Sequence, residues 1–440
     1  MDLLWADTGD YGITPLLGCV PRLRTLIYSD DRQVGAGYSQ GSFLSHEAPN
    51  TSVLITSEGV EPLSEHEARQ FLRHAIRIRS FNLRISSIKH LHLLTSLAIG
   101  TCVFPRLLAL QVFCDSLKNI EYWQSHLILS PVLRRCFHGL ESLSIGFVTV
   151  RTTDGLLLLS ETIRSCKQLK HLKCTPLDYA AWRHLSTLPT LDTVTIHEGV
   201  YNVHLDWYNA IFTPFLHVTT LYFRLDTAAD IITVMQHSEF PSLKVFQVDV
   251  NVLPRVEAEQ LLHAMFKCGA YQTLEHIDIH TRKSLESRDP SLPTLTRQFL
   301  HFTRLQTLRL SLGCPMYLDN HLFLEAMSSW PHIYDLSLSN THLVTFRGLF
   351  AALRLRPRMH SLAADIDAVN IDIDPEVESF QHTSLQILYV GSSHVGDPVA
   401  VARIIFMMLP CIRCVIRNWN RLEWDEVNRQ LDSLRLSVVV

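Results

Sequence analysis

No stretch of this chain is apolar for long enough to cross a membrane. The longest largely apolar runs, over 156–159 and 399–409, fall well short of the ~20 residues a spanning helix needs. The opening residues Met1-Asp-Leu-Leu-Trp5 carry neither a basic region nor a cleavable apolar core, so no secretory signal is expected. Asn50-Thr51-Ser52 fits a glycosylation sequon, which without such a signal is expected to stay bare. An excess of one charge is also missing. With 39 basic against 43 acidic residues and a net charge of -4, there is no field for gripping a phosphate backbone, and nucleic acid is not an expected partner. Ten cysteines in 440 residues are too sparse for a disulfide scaffold. They read as reduced thiols, in cytoplasm or nucleus.

Catalytic signatures are scarce too. Gly35-Ala-Gly37-Tyr-Ser-Gln-Gly41 spaces its third glycine wrongly for a dinucleotide fingerprint and lacks the Lys-Ser/Thr of a phosphate loop. There is no Gly-x-Ser-x-Gly elbow and no His-Glu-x-x-His helix. Cys411-Ile-Arg-Cys414 has the spacing of half a zinc site, but no second pair follows, and the two are expected to be buried core thiols. The acidic run Asp365, Asp367, Asp372, Asp374, Glu376 and Glu378 fails as a calcium loop. Counted from Asp372, the glycine and glutamate slots hold Val377 and Thr383. A solvated acidic loop is expected there. The 23 histidines are scattered without ligand geometry. Neither enzyme chemistry, a cofactor nor a metal is expected.

What the chain does have is one phrase, repeated: an apolar residue, two of any kind, an apolar residue, one of any kind, an apolar residue. It reads Leu140-x-x-Leu143-x-Ile145, Leu169-x-x-Leu172-x-Cys174, Leu191-x-x-Val194-x-Ile196, Val218-x-x-Leu221-x-Phe223 and Leu243-x-x-Phe246-x-Val248. It continues as Leu274-x-x-Ile277-x-Ile279, Leu305-x-x-Leu308-x-Leu310, Ile333-x-x-Leu336-x-Leu338, Met359-x-x-Leu362-x-Ala364 and Leu385-x-x-Leu388-x-Val390. The first positions fall 22 to 31 residues apart, close to the leucine-rich-repeat range of about 20–29. Each phrase alternates like a short strand with one buried face. Between phrases lie helical spacings with start signals: Ser64-Glu-His-Glu67 as a capping box, Asp319 before Leu322, and Asp397-Pro398.

The expected fold is therefore α/β, a leucine-rich-repeat solenoid or horseshoe with a parallel sheet on the concave face and helices on the convex face. Its expected extent is 61–440, after an irregular segment over 1–60 that includes a loop over 29–50 and an early strand over 23–26. Leu94-x-x-Leu97-x-Ile99 lies only 13 residues before the next phrase at Leu107, too few for a full cycle, and is read as part of a helix over 87–97. With strands at Ile78-x-x-Phe81, Leu107-x-x-Leu110 and Ile412-x-x-Val415, about 13 or 14 strands at ~4.8 Å give an inner face of roughly 60 Å. At the far end a helix over 423–434 and a closing strand over 434–440 are expected, with the final edge left apolar and its capping missing or supplied by a partner.

Because strand side chains alternate, the residues between buried positions face the groove. They are His171, Lys173, Thr195, His197, Tyr222, Arg224, Gln247, Asp249, His276, Asp278, His280, Thr307, Arg309 and Tyr389. Tyrosine and arginine are the types enriched at binding hot spots. The expected partner is a protein substrate held on this concave face by a monomer.

Three stretches carry a family likeness. They are Leu3-Leu4-Trp5 with Pro15-Leu16-Leu17 and Pro21; Pro62-Leu63-Ser64 through Ile78-Arg79-Ser80-Phe81; and the strand leads Phe104-Pro105-Arg-Leu107 and Phe240-Pro241-Ser-Leu243. In these the chain resembles the F-box and leucine-rich-repeat proteins expanded in mushroom-forming fungi. The resemblance implies a substrate receptor of an SCF-type cullin–RING ubiquitin ligase: F-box helices dock on a Skp-type adaptor while the solenoid holds the substrate. Some 40 residues of F-box would have to lie upstream of Leu3, so the resemblance implies adaptor docking only if that box is present. The alternatives are a non-ligase scaffold or decoy and, more remotely, a hydrolase or metal-dependent enzyme.

Overall fold

The computed structural model describes residues 14–21, 23, 61–84, 102–113, 137–146, 153–197, 212–283, 297–312, 316–338, 341–342, 344–391, 393–417 and 422–438. The expectations placed on Leu3-Leu4-Trp5, on the loop over 29–50 and on the helix over 87–97 lie outside these residues. The chain forms two compact units, 1–206 and 207–440.

In the first unit, the repeated phrase becomes five parallel strands in sequence order: β1 (Ser80–Arg84), β2 (Ala109–Phe113), β3 (Ser142–Gly146), β4 (His171–Cys174) and β5 (Thr193–Ile196). Helices Glu65–Ala75, Thr153–Ser165 and Tyr179–Ser186 connect or precede them. Ser64 caps the first of these through the expected reciprocal box, its Oγ accepting from the Glu67 amide. Leu23, expected to open a strand, is instead buried and helical, close behind the short helix Thr14–Leu17.

The second unit carries β6 (Thr220–Leu225), β7 (Val245–Val250), β8 (His276–Thr281), β9 (Thr307–Ser311), β10 (Met316–Tyr317), β11 (Asp335–Leu338), β12 (Thr341–His342), β13 (Val344–Thr345), β14 (Ser361–Ala363), β15 (Ile366–Asp367), β16 (Ile387–Tyr389) and β17 (Val415–Ile416). Eight of them, β6-β7-β8-β9-β11-β14-β16-β17, run parallel in that order. β10 with β12, and β13 with β15, form small side ladders. Helices follow the strands as expected, and Asp319 and Asp397 accept hydrogen bonds from the first free amides of Asn320–Ser329 and Pro398–Met408.

One device recurs at the strand starts. A single carbonyl accepts two successive amides of the next repeat: Thr219 O takes Lys244 N and Val245 N at 2.8 and 3.0 Å, and Lys244 O takes Glu275 N and His276 N at 2.9 Å each. Glu275, Gln306, Tyr334 and His360 continue the chain of acceptors to Gln386 and Ile387. This fixes the register before the ladder proper begins, so the first, fourth and sixth positions of each phrase fall on one face. That face is buried among the apolar stripes of the helices, which is where most of the stabilisation resides. Three residues before many of the phrases a large side chain closes the turn: Phe104, Phe137, Phe215, Phe240, Phe302 and Trp330. Phe215 stacks on Phe240 with ring centres 4.8 Å apart. In one repeat the buried His382 takes this place, its Nδ1 accepting the Leu385 amide and its Nε2 lying 2.9 Å from the Arg356 carbonyl.

The far end differs from expectation. The helix Glu423–Val438 takes up 434–438 of the stretch expected to form a closing strand, the last two residues of that stretch lying outside the described residues. The sheet edge is capped by this chain itself. Asn428 behaves as a one-residue strand beside β17: its Oδ1 accepts the Val415 amide at 2.8 Å, and its Nδ2 donates to the Val415 carbonyl at 3.0 Å. The Arg435 guanidinium covers the Arg413 and Ile412 carbonyls. Trp424, Val427 and Leu431 are buried at helical spacing, and the Trp424 indole donates to the Ser393 carbonyl at 2.9 Å. Burying that apolar stripe outweighs the β-propensity of a short valine run.

Candidate functional site

The strand alternation decides which side chains are available. In the first unit His171 and Lys173 are exposed on β4, while Thr195 and His197 are half-buried at and just after β5. Lys173 sits in register with Thr195. In the second unit Arg224, His280 and Arg309 are exposed; Tyr222, Gln247, Asp249, His276, Asp278, Thr307 and Tyr389 are half-buried. Parallel register turns these positions into rows: Tyr222, Gln247, Asp278 and Arg309 form one, Arg224, Asp249 and His280 the next. Tyr389 continues the first row through Ser337 and Ala363. It stands three strand spacings, about 14 Å, from Arg309.

Asp249 is the electrostatic centre of these rows. Arg282 grips it with Nε at 2.9 Å from Oδ1 and Nη2 at 3.2 Å from Oδ2, and sets Nη1 3.0 Å from Asn251 Oδ1. Arg224 Nε and His280 Nδ1 each approach to 3.5 Å. Burial alone would raise the Asp249 pKa, but the Arg282 hydrogen bonds and charge, joined by His280, outweigh it and hold the carboxyl below its ordinary value. Burial, and after it the Asp249 charge, pushes the Tyr222 phenol up. Asp278 is also raised by burial, against the pull of Arg309 and His280. Arg309 Nη2 lies 2.5 Å from Asp335 Oδ2, with the arginine side chain 54% exposed over a carboxylate only 12% exposed. The carboxylates lie low and the cations stand over them.

A stability prediction follows from the sign of the Asp249 shift. A folded pKa below the unfolded value of about 3.9 stabilises fully above that value, and the contribution disappears as pH falls through the folded pKa. Asp249→Asn should lower stability at pH 7 by about 1 kcal/mol, a modest figure because solvent screens the outer side of the cluster. The difference in urea midpoint between variant and wild type should close as the pH is taken to about 2. A constant difference across that range would mean that the carboxylate charge contributes nothing.

Sequence reasoning missed Arg282, Asn251 and Asp335. Asp335 occupies the third position of its own phrase and could have been read from the alternation. Arg282 and Asn251 lie beyond the phrase, where no periodicity marks them. It also missed an apolar end to the face: Ile387 and Ile416 project outward at 40% and 44% exposure. Cys411 and Cys414, expected in the core, are both exposed, because Ile412 and Val415 hold the buried positions and turn the cysteines outward. Cys174 is fully buried as expected. Burial pushes the Cys166 and Cys268 thiols up to about 12 and Cys174 higher still, so none of the three serves as a thiolate nucleophile.

The acidic run is not a freely solvated loop. Asp372 accepts the Arg347 amide at 3.1 Å, Glu378 pairs with Arg354 and Glu376 with Arg403, so helices on either side pin it. Among the described residues no group of three or more His, Cys, Asp or Glu could hold a metal ion, and no helix is long and apolar enough to cross a membrane.

Comparison with known proteins adds little. No protein-family model and no curated protein matches the chain. Among solved structures, it is similar to a Bacteroides fragilis protein determined as a structural-genomics target. That likeness has 11% identity over 68% of this chain and 76% of the other, with a TM-score of 0.34. It carries no argument about fold or function. The functional reading rests on this chain's own repeats and exposed rows.

Proposed function

We propose that this chain is a leucine-rich-repeat horseshoe that binds a protein on the exposed face of its sheet, as the substrate-recognition subunit of an SCF-type cullin–RING ubiquitin ligase. The observation that carries the binding part is the pair of adjoining rows Tyr222–Gln247–Asp278–Arg309 and Arg224–Asp249–His280. There, tyrosine and arginine, the side chains that dominate protein interfaces, are positioned by strand register, Tyr222 half-buried and Arg224 and Arg309 exposed. A receptor of this kind makes and breaks no bonds. It holds substrate lysines at high effective concentration beside a conjugating enzyme carried elsewhere in the assembly. The ligase part rests on the sequence resemblance alone. Localisation in cytoplasm or nucleus accords with it.

The test is a titration of the purified chain against a Skp-type adaptor. A Kd of about 1 µM or tighter supports the receptor reading. Absence of binding at about a hundred times that concentration moves the reading to a protein-binding scaffold without ligase coupling. In either case the substitutions Tyr222→Ala and Arg309→Ala should leave adaptor affinity unchanged, since the two surfaces are separate in the proposal.

A further inference from the structure

Within the second unit, the strand-start edge of the sheet changes character along its length. From β7 to β8 opposite charges pair across adjacent repeats, Lys244 with Glu275 at 3.4 Å. From β9 onward the pattern stops. The residue just before each phrase is Arg304, His332, Arg358, Ser384 and Cys411 in turn. The second residue of each phrase is Gln306, Tyr334, His360, Gln386 and Arg413. These columns contain no carboxylate. Glu275, next along that edge, is already shared by Lys244 and Gln306.

Arg304, Arg358 and Arg413 are exposed, and none has an ion-pair partner among the described residues. Several other arginines of the second unit, Arg224, Arg282, Arg354, Arg403 and Arg417, are each matched to an acid, and Arg356, which is not, is turned onto the Leu355 and Ser328 carbonyls. A line of unmatched like charges destabilises the fold that carries it, so fold stability does not account for the line. At its β17 end lies an open depression of about 670 Å³, lined by Gln386, Ile387, Cys414, Ile416 and Arg413. Its floor is the apolar end of the sheet face.

We propose that this edge of the second unit docks an acidic segment of a partner protein. The segment's carboxylates would lie along Arg304, Arg358 and Arg413, and one of its aliphatic side chains would enter the depression between Ile387 and Ile416. Charge complementarity selects the occupant. The rim offers guanidinium forks that match carboxylates in bidentate fashion, and the depression offers the desolvated centre an interface anchor needs. The inference deepens the protein-binding reading and rests on it.

The probe is a fluorescein-labelled peptide rich in glutamate around a single leucine, followed by anisotropy with the full chain. Its controls are a peptide with lysine for each glutamate and one with serine for the leucine. The acidic peptide should bind and the lysine peptide should not. Binding should weaken as salt rises from about 0.05 to about 0.5 M, and leucine removal should weaken it about tenfold. The double variant R358E/R413E should cost about tenfold or more. Both side chains are exposed, so its melting profile should match wild type, which separates lost binding from lost folding. Equal binding of the lysine peptide, or an affinity unmoved by the charge reversal, overturns the inference. The adaptor titration reads a different surface, so its failure leaves this result standing, and the reverse holds too.

Discussion

Leu308→Asp is expected to abolish most of the folding free energy of the second unit. Leu308 is fully buried in β9, in register with Ile277 on one side and Leu336 on the other. Among the described residues no lysine or arginine is buried to pair with a carboxylate there, and burying it unpaired, or neutralising it, puts the loss above about 4 kcal/mol. Repeat arrays draw much of their stability from interfaces between neighbours, so a failure at β9 uncouples the repeats on either side. The conservative Leu308→Ala should cost about 2–5 kcal/mol by leaving a cavity. Urea unfolding followed by circular dichroism reads both. A midpoint unchanged in Leu308→Asp would show that β9 turns its opposite face inward, because only an exposed position tolerates the charge.

The second large effect concerns the terminal helix. Trp424→Ala should destabilise by about 3–5 kcal/mol, the cost of emptying a large buried aromatic site. It also removes the indole donor from the Ser393 carbonyl. Trp424→Phe keeps most of the volume and should cost only about 1 kcal/mol for the hydrogen bond. The loss should be local first. Hydrogen exchange at Val415 and its β16 neighbours should accelerate well before exchange at β7 and β8, because the helix holds the β17 edge through Asn428 and Arg435. Uniform acceleration across the second unit would mean that the helix stabilises the whole array rather than its end.

The strands were legible because one periodicity encodes both where they lie and which side they bury. Leu308 and Arg309, adjacent in sequence, have opposite fates for that reason alone. The helix caps at Ser64, Asp319 and Asp397 were legible from local chemistry. The terminal helix was not. Valine at its end favours a strand locally, and only the packing of Trp424, Val427 and Leu431 decides for a helix. Of the exposed rows, the phrase supplied Tyr222, Arg224, Asp249, His280 and Arg309. It could not supply Arg282, which reaches Asp249 from beyond its own strand. The exposed cysteines were a misreading of available information: the phrase Ile412-x-x-Val415 already placed Cys414 outward. The unmatched arginines needed the columns of neighbouring repeats to be aligned, which requires the register and not just the period.

Asn428 gives the array a definite point of arrest. Its amide offers β17 one donor and one acceptor at the spacing another strand would offer, and nothing further along. The ladder of repeats is thereby closed at β17 by side chains of the terminal helix, Asn428 on Val415 and Arg435 over the Ile412 and Arg413 carbonyls, much as a chain terminator stops a polymer. For anyone wishing to lengthen the molecule, this is the junction to cut. A foreign repeat grafted after Ile416 would have to supply the two hydrogen bonds that Asn428 now makes, and the displaced helix would serve as the new last turn of a longer array.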